Sequence, residues 1–258
     1  MIALNIERMR WKPENYGDHY IAVNIPEYIL RIYENQKQTL EMKVVVGATN
    51  TPSPVFHASL EYIVLSPTWT VPPSIMKTEI FPRLKKDPTY YAERDFTFYK
   101  NGAEIDPSTE RWDSAYNANQ YRVVQKPGRD NALGMAKFIM PNAMNVYLHD
   151  TPDHSSFSKN YRALSHGCIR LDDPARLAEY LVQDQKEWNL KTIQKVMRSN
   201  NPTKLPLNKY YQVYLEYNTV WVDDNGQINF REDIYGHDKR QLQQLSHGIK
   251  KTPSLASW

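Results

Sequence analysis

His19-Tyr20-Ile21-Ala22-Val23-Asn24-Ile25 alternates, with Ile21, Val23 and Ile25 on one face of an extended chain. The alternation resumes after Pro26 at Tyr28, Leu30 and Ile32. Glu34-Asn35 then reads as a turn into a third extended run, which ends at Val44-Val45-Val46 before Gly47. A fourth, around Glu61 to Leu65, is stopped by Ser66-Pro67. Period-2 segments separated by short turn signals predict strands, and the N-terminal third reads as β.

From Trp69 to about Asn119 the period is lost. Val71-Pro72-Pro73 leads into Ser74-Ile75-Met76-Lys77-Thr78-Glu79-Ile80-Phe81, a predicted helix with Pro73 near its first turn, and Pro82 and Pro88 are expected to break it. Residues 69–119, rich in charge and tyrosine, read as an insertion between strands, a lid or a long surface excursion. The core pattern is expected to return at Tyr121-Arg122-Val123-Val124-Gln125, turn at Pro127-Gly128, and run through Leu133 to Ile139 and then Asn145-Val146-Tyr147-Leu148-His149. His149 therefore ends a predicted strand, before Asp150-Thr151-Pro152. Asp173-Pro174 supplies an N-cap and a proline at N1, with Leu177, Ala178, Leu181 and Val182 as the apolar stripe of a helix. A second helix is expected from Leu190 to Arg198. Val213, Leu215 and Tyr217 alternate, Asn225-Gly226 turns, and Ile228 to Phe230 returns, a predicted hairpin. Residues 239–258 are polar and read as a frayed tail. The fold class expected is mainly β with short helices, a β-rich α+β molecule.

Composition narrows the function classes. A chain of 258 residues, 41% hydrophobic and 24% charged, is ordinary for a globular protein and long enough for a substantial core. Eighteen tyrosines against seven phenylalanines suit half-buried strands and grooves that grip polar, extended ligands. The net charge of +3 is far from the dense basic stripe of a nucleic-acid binder, and Lys85-Lys86 after Arg83 reads as a solvated helix face. No run approaches the roughly 18 apolar residues of a membrane span. Met1 to Tyr20 mixes Glu7, Arg8, Arg10, Lys12 and Glu14 with apolar residues and has the form of neither a signal nor a transit peptide. A cytosolic chain and the trimmed portion of a secreted one both fit.

Chemistry gathers at Ser165-His166-Gly167-Cys168-Ile169-Arg170, which holds the only cysteine. Acyl transfer by cysteine needs a thiolate, a base, a group that orients the base, and donors for an oxyanion. Cys168 is the candidate nucleophile and His149 the preferred base, since a strand end aims an imidazole rigidly. The carbonyl or side chain of Asp150 would fix its tautomer. Gly167 permits unusual backbone angles, so that the amides of Gly167 and Cys168 would converge on an oxyanion, and Tyr147 would bring its hydroxyl to the same pocket. His166, at i−2 on a tight turn, is placed second, as a turn-organising or substrate-facing residue. Arg170 would stabilise a thiolate, hold a substrate carboxylate, or serve as a structural arginine. The bland alternative is an inert core cysteine, which has no need of these polar neighbours. His149, His154, His166 and Cys168 are legitimate zinc ligands, yet no Cys-x-x-Cys or His-Glu-x-x-His accompanies them, so no metal is expected. His19, His57, His237 and His247 are scattered and receive no role.

His149 followed by Ser165-His166-Gly167-Cys168 resembles the signature of the L,D-transpeptidase catalytic domain, the YkuD type. Val23-Asn24-Ile25-Pro26, Trp69-Thr70-Val71-Pro72-Pro73, Pro127-Gly128, Tyr147-Leu148-His149-Asp150-Thr151-Pro152 and Asp233-Ile234-Tyr235 are similar to the larger Gram-negative members of the YcbB type. The resemblance implies a β-sandwich-like catalytic region over residues 1–258, with residues 69–119 as an inserted capping subdomain over the donor side of the groove. It implies that Cys168 attacks the bond between the third and fourth residues of a peptidoglycan tetrapeptide stem, with His149 as base and Asp150 in the orienting position. Gly167, Cys168 and Tyr147 match the oxyanion positions, and His166, Arg170, Trp69 and Ser165 stand on the substrate side. The implied product is a 3→3 cross-link with release of D-alanine. Water as acceptor would make an L,D-carboxypeptidase, and a lipoprotein lysine would make an attaching or detaching enzyme. The rival class is a non-catalytic peptidoglycan-binding or metal-binding module. Implied partners are donor and acceptor stems and carbapenem inhibitors, with no nucleic acid, no cofactor and no metal. The membrane anchor of YcbB-type proteins is not found in these residues, and the implied location is periplasmic, anchored to the inner membrane in the full-length protein.

Overall fold

The computed structural model describes residues 1–91, 94–112, 120–223 and 225–249. Helix α1 (Ile2–Met9) precedes strands β1 (His19–Asn24), β2 (Ile29–Glu34), β3 (Lys37–Gly47), β4 (Phe56–Leu65) and β5 (Trp69–Thr70). Helices α2 (Pro73–Ile75) and α3 (Phe81–Lys86) flank a π-turn at Met76–Ile80, and β6 (Phe96–Lys100), β7 (Ala103–Ile105) and β8 (Tyr121–Gln125) follow. Next come β9 (Ala136–Ile139), β10 (Leu148–His149), β11 (Ala163–Ser165), β12 (Ile169–Leu171), α4 (Pro174–Leu181) and α5 (Leu190–Met197). The chain closes with β13 (Thr203–Glu216), β14 (Val220–Val222), β15 (Ile228–Phe230) and α6 (His237–Ile249). The molecule is mainly β with short helices, as its sequence predicts.

The main sheet is mixed, in the order β11-β3-β12-β10-β9-β4-β13-β1-β2, and β2 pairs again with β3, so the sheet closes on itself around one core. The alternation that opens the chain has its physical counterpart here: Ile21 and Val23 on β1, Leu30 and Ile32 on β2 and Val44 and Val46 on β3 are fully buried in that core. Asn35 and Gln36, both at positive φ, make the tight β2–β3 turn. Helices α4 and α5 bury Leu177, Ala178, Leu181, Ile193 and Met197 against the same core. Asp173 caps α4, accepting from Arg176 N at 3.0 Å, with Pro174 in its first turn. Asn189 and Thr192 form a capping box on α5.

Four readings need correction. Tyr121–Gln125 is a strand, but it belongs to a separate sheet, β5-β8-β6-β7, because Val123 packs with Phe98, Leu84 and Trp112 in a second apolar cluster rather than in the main core. Pro82 does not break the helix. Residues 76–80 wind as a π-turn, in which Phe81 N–H donates to Met76 O, and Pro82 falls in the first turn of α3, where its missing N–H is tolerated. The predicted hairpin pairs β14 with β15, whereas Val213 and Leu215 lie on β13, held parallel to β1 and antiparallel to β4. Lys239 opens no frayed tail: it lies in α6, which runs to Ile249 and is tied down by the buried Asp238, ion-paired to Arg8 at 2.6 Å and accepting from Thr219 Oγ1 at 2.7 Å. Residues 92–93 and 113–119 of the segment expected to be an insertion, and residues 250–258 of the expected tail, lie outside the described residues.

Candidate active site

Cys168 sits on the turn between β11 and β12, half-buried. The turn depends on Gly167, whose φ of +111° is rare for any residue with a side chain. Ser165 staples it internally: its hydroxyl donates to Cys168 O at 2.6 Å and accepts from Gly167 N at 3.1 Å. From beneath, Ser53 Oγ donates to Gly167 O at 2.7 Å and Thr51 Oγ1 to Ser165 O at 2.9 Å. Tyr235 in turn holds that loop, its hydroxyl donating to Gly47 O and accepting from Ser53 N. Two expectations change as a result. The buried Ser165 hydroxyl is used inside the turn and does not face a substrate, and the Gly167 N–H is committed to Ser165, which removes it as an oxyanion donor.

Strand β10 runs parallel to β12, so Leu148 pairs with Ile169 and His149 with Arg170. Tyr147 O accepts from Ile169 N at 3.1 Å, which fixes the height of His149 relative to Cys168. The strand is shorter than predicted, because Asn142 folds residues 140–146 into a loop, donating to Met140 O and Val146 O at 2.6 and 2.7 Å. His149 is 5% exposed and its Nδ1 meets the Asp150 carbonyl. A carbonyl only accepts, so Nδ1 carries the hydrogen and Nε2 keeps its lone pair. Burial first, then the Arg170 charge and, to a lesser degree, the Lys137 charge lower the imidazole to about 3, against an opposing pull from the Asp150 carbonyl that lies between the two. Asp150 thus orients the histidine by its backbone. Its carboxylate turns elsewhere, accepting from Met135 N at 2.8 Å and meeting His154 Nε2 at 3.2 Å. Gly134 allows that approach, since a Cβ there would lie 2.4 Å from the Asp150 side chain.

Burial raises the Cys168 thiol, and four groups oppose the rise: the Tyr147 backbone N–H, the Lys137 charge, the Tyr147 hydroxyl and the Arg170 charge. The thiol also reaches the Asn145 carbonyl at 3.9 Å. The Tyr147 ring packs edge-on to His149 at 5.6 Å, and the Trp69 side chain lies close enough to its hydroxyl to lower it, against the rise that burial brings. Trp69 belongs to the small sheet, so that sheet reaches the cysteine pocket directly. His166 is half-exposed and points away from His149 to Glu79 on the π-turn, at 2.6 Å. Among the described residues no three His, Cys, Asp or Glu side chains converge as a metal site, and no helix is long and apolar enough to cross a membrane.

Lys137 was missed in the sequence. It lies on β9 in register with His149, its ammonium 3.9 Å from the centroid of the Tyr147 ring. The signal available was a single charge inside Ala136-Lys137-Phe138-Ile139, where Ala136 and Phe138 take the core face and leave residue 137 on the other.

The family model of the YkuD L,D-transpeptidase catalytic domain matches residues 18–192. A Haemophilus influenzae (strain Rd) protein named "Putative L,D-transpeptidase" is 36% identical over 240 residues, 93% of this chain and 48% of that one. The chain thus spans about half the length of this curated relative. Among solved structures, an L,D-transpeptidase from Mycobacterium smegmatis is similar at 14% identity and a TM-score of 0.39, over 77% of this chain and 58% of that one. L,D-transpeptidase 3 from Mycobacterium tuberculosis, solved with a faropenem-derived adduct, is similar at 11% identity and a TM-score of 0.34, over 76% and 60%. Likenesses this loose bear no weight beside the family model.

Proposed function

The chain belongs to the YkuD family of L,D-transpeptidase catalytic domains, and from that premise we propose that it forms 3→3 cross-links between peptidoglycan tetrapeptide stems through a Cys168 acyl-enzyme. The observation that carries the reading is that Cys168, displayed on the Gly167 turn, leads into β12 beside the parallel strand that ends in a neutral His149, whose Nδ1 is held by the Asp150 carbonyl and whose Nε2 keeps its lone pair. In the first step His149 Nε2 takes the thiol proton as Sγ attacks the carbonyl of the third stem residue. The Tyr147 hydroxyl, beside the sulfur, and the Cys168 N–H are the donors for the oxyanion. The tetrahedral adduct collapses with cleavage of the amide bond, and the proton on His149 passes to the amine of the departing D-alanine. In the second step the side-chain amine of another stem attacks the thioester, gives a proton to His149 and frees the thiol. The reading places the protein in the periplasm, where stems are found, and makes Cys168 the residue that a carbapenem would acylate.

Incubation with a disaccharide-tetrapeptide, followed by mass spectrometry, tests it. Cross-linked dimers that have lost one D-alanine are expected, and Cys168→Ala should abolish them. Tripeptide alone would replace transfer with L,D-carboxypeptidation. Equal product from the Cys168→Ala protein would remove the nucleophile.

A further inference from the structure

Across the sheet face that carries the histidine, the register aligns Val64, Lys137, His149, Arg170 and Val45 on five adjacent strands. Residues in register share a face, so two cations bracket the imidazole, and valines close the row at both ends. Neither cation has a carboxylate within 4.0 Å among the described residues. The Cys168 sulfur is the group whose charge would act on Lys137, while Arg170 feels Asp153 first and the Cys168 sulfur second. The Arg170 Nε is buried without a hydrogen-bond partner. Burial disfavours both charges and lowers both groups, and the Tyr147 ring gives Lys137 a weak cation–π contact in place of an ion pair. Asp150 and Glu79, the other acids close to the site, are engaged with His154 and His166. The pocket thus holds two positive charges with no carboxylate in ion-pair contact with either among the described residues, Asp153 acting on Arg170 from beyond 4.0 Å.

We propose that Lys137 and Arg170 form an anion subsite that takes the terminal carboxylate of the donor peptide, one residue beyond the bond being broken. The inference rests on the transferase reading above. With the scissile carbonyl at Sγ, the carboxylate of the departing residue lies about 4 Å farther along the chain, within reach of cations in the adjoining row. A bound carboxylate would satisfy the orphan Nε of Arg170 and give Lys137 a counter-charge. It would also offset the two charges that oppose formation of the imidazolium on His149. Lys137 is accordingly a specificity residue, which favours donors that end in a free carboxylate.

The test compares a tetrapeptide donor with the same peptide ending in a primary amide. For the unmodified protein, kcat/KM should fall about tenfold or more for the amide, as expected from loss of a charge-assisted hydrogen bond. Lys137→Met should lower the carboxylate peptide far more than the amide peptide, and Lys137→Arg should restore most of the preference. Equal turnover of both peptides by the unmodified protein would overturn the subsite. So would an equal loss on both in Lys137→Met, which would assign the lysine to the thiol or to the fold. Equilibrium titration of both peptides onto Cys168→Ala separates this proposal from the reaction. Tighter binding of the carboxylate peptide, without turnover by the unmodified protein, keeps the subsite and sinks the transferase. Equal binding alongside turnover does the reverse.

Discussion

Cys168 and His149 rest as thiol and neutral imidazole, since burial raises the one and lowers the other. The site therefore differs from cysteine enzymes that hold a preformed thiolate–imidazolium pair. Alkylation of Cys168 by iodoacetamide should rise only at a pH above the ordinary cysteine range. A plateau of reactivity below pH 6 would show a stored ion pair and overturn this description. The same histidine links folding to pH. An unfolded imidazole binds its proton near pH 6.5 and the folded one only near 3, so stability is fully present above 6.5 and falls as pH drops through that window, by at most ~1.4 kcal/mol per unit. Asp150 acts in the opposite sense, because burial raises its carboxyl and it stabilises the fold where it stays protonated. In thermal unfolding between pH 7 and 4, His149→Gln should accordingly lose less stability than the unmodified protein. An equal loss would clear His149 of the linkage. Cys168 and His149 were legible because a lone cysteine beside Gly167, and a histidine at a strand end, each have few structural uses. Lys137 was not, because a lysine on the open face of a strand looks like any solvated charge until register sets it beside His149. Ser165 and the Gly167 N–H were misread for a related reason: adjacency in the motif says nothing about which polar groups the turn consumes itself.

The β11–β12 turn is the element on which the geometry hangs. An alanine Cβ at Gly167 would have room, with Thr51 O and Pro52 O the nearest atoms at 3.7 Å, so sterics with the surroundings do not require glycine. The backbone angle does. Gly167→Ala should cost ~1–3 kcal/mol in urea unfolding and relax the turn toward negative φ, with a larger proportional loss of kcat than of stability as Cys168 leaves its place beside Tyr147. Full activity in Gly167→Ala would mean that the cysteine is positioned by the Ser53 and Thr51 buttresses alone. Elements as such were easier to read than their partners. Tyr121–Gln125 alternates as a core strand does, yet pairs with β5 and β6, because a period of two specifies an extended half-buried segment and not the sheet that receives it. Val213 and Leu215 were misassigned on the same ground. The helix caps at Asp173 and Asn189 behaved differently, since a cap is a local contact between residues three apart and is complete within its own segment.

At the scale of the molecule the described residues form two apolar clusters, and the small sheet has its own, built from Val71, Met76, Ile80, Leu84, Tyr91, Phe98, Trp112 and Val123. That segment meets the site through Trp69 near Tyr147, just before β10, and through Glu79 on His166 of the catalytic turn, the latter half-exposed and worth less than ~1 kcal/mol. Such weak ties between separately packed clusters leave the small sheet free to open at lower free energy than the closed main sheet. Phe98 is 1% exposed at the centre of its cluster, so Phe98→Ala should cost ~3–5 kcal/mol of local stability. Hydrogen exchange followed by mass spectrometry should then show faster exchange in residues 69–112 and 121–125, with little change in β1, β2, β3 and β13. Turnover should fall as well, because Trp69 would no longer pack beside the Tyr147 hydroxyl. Uniform acceleration across both sheets would mean that the two clusters unfold as one unit, and unchanged turnover would mean that Tyr147 is held by Lys137 and His149 without help from the small sheet.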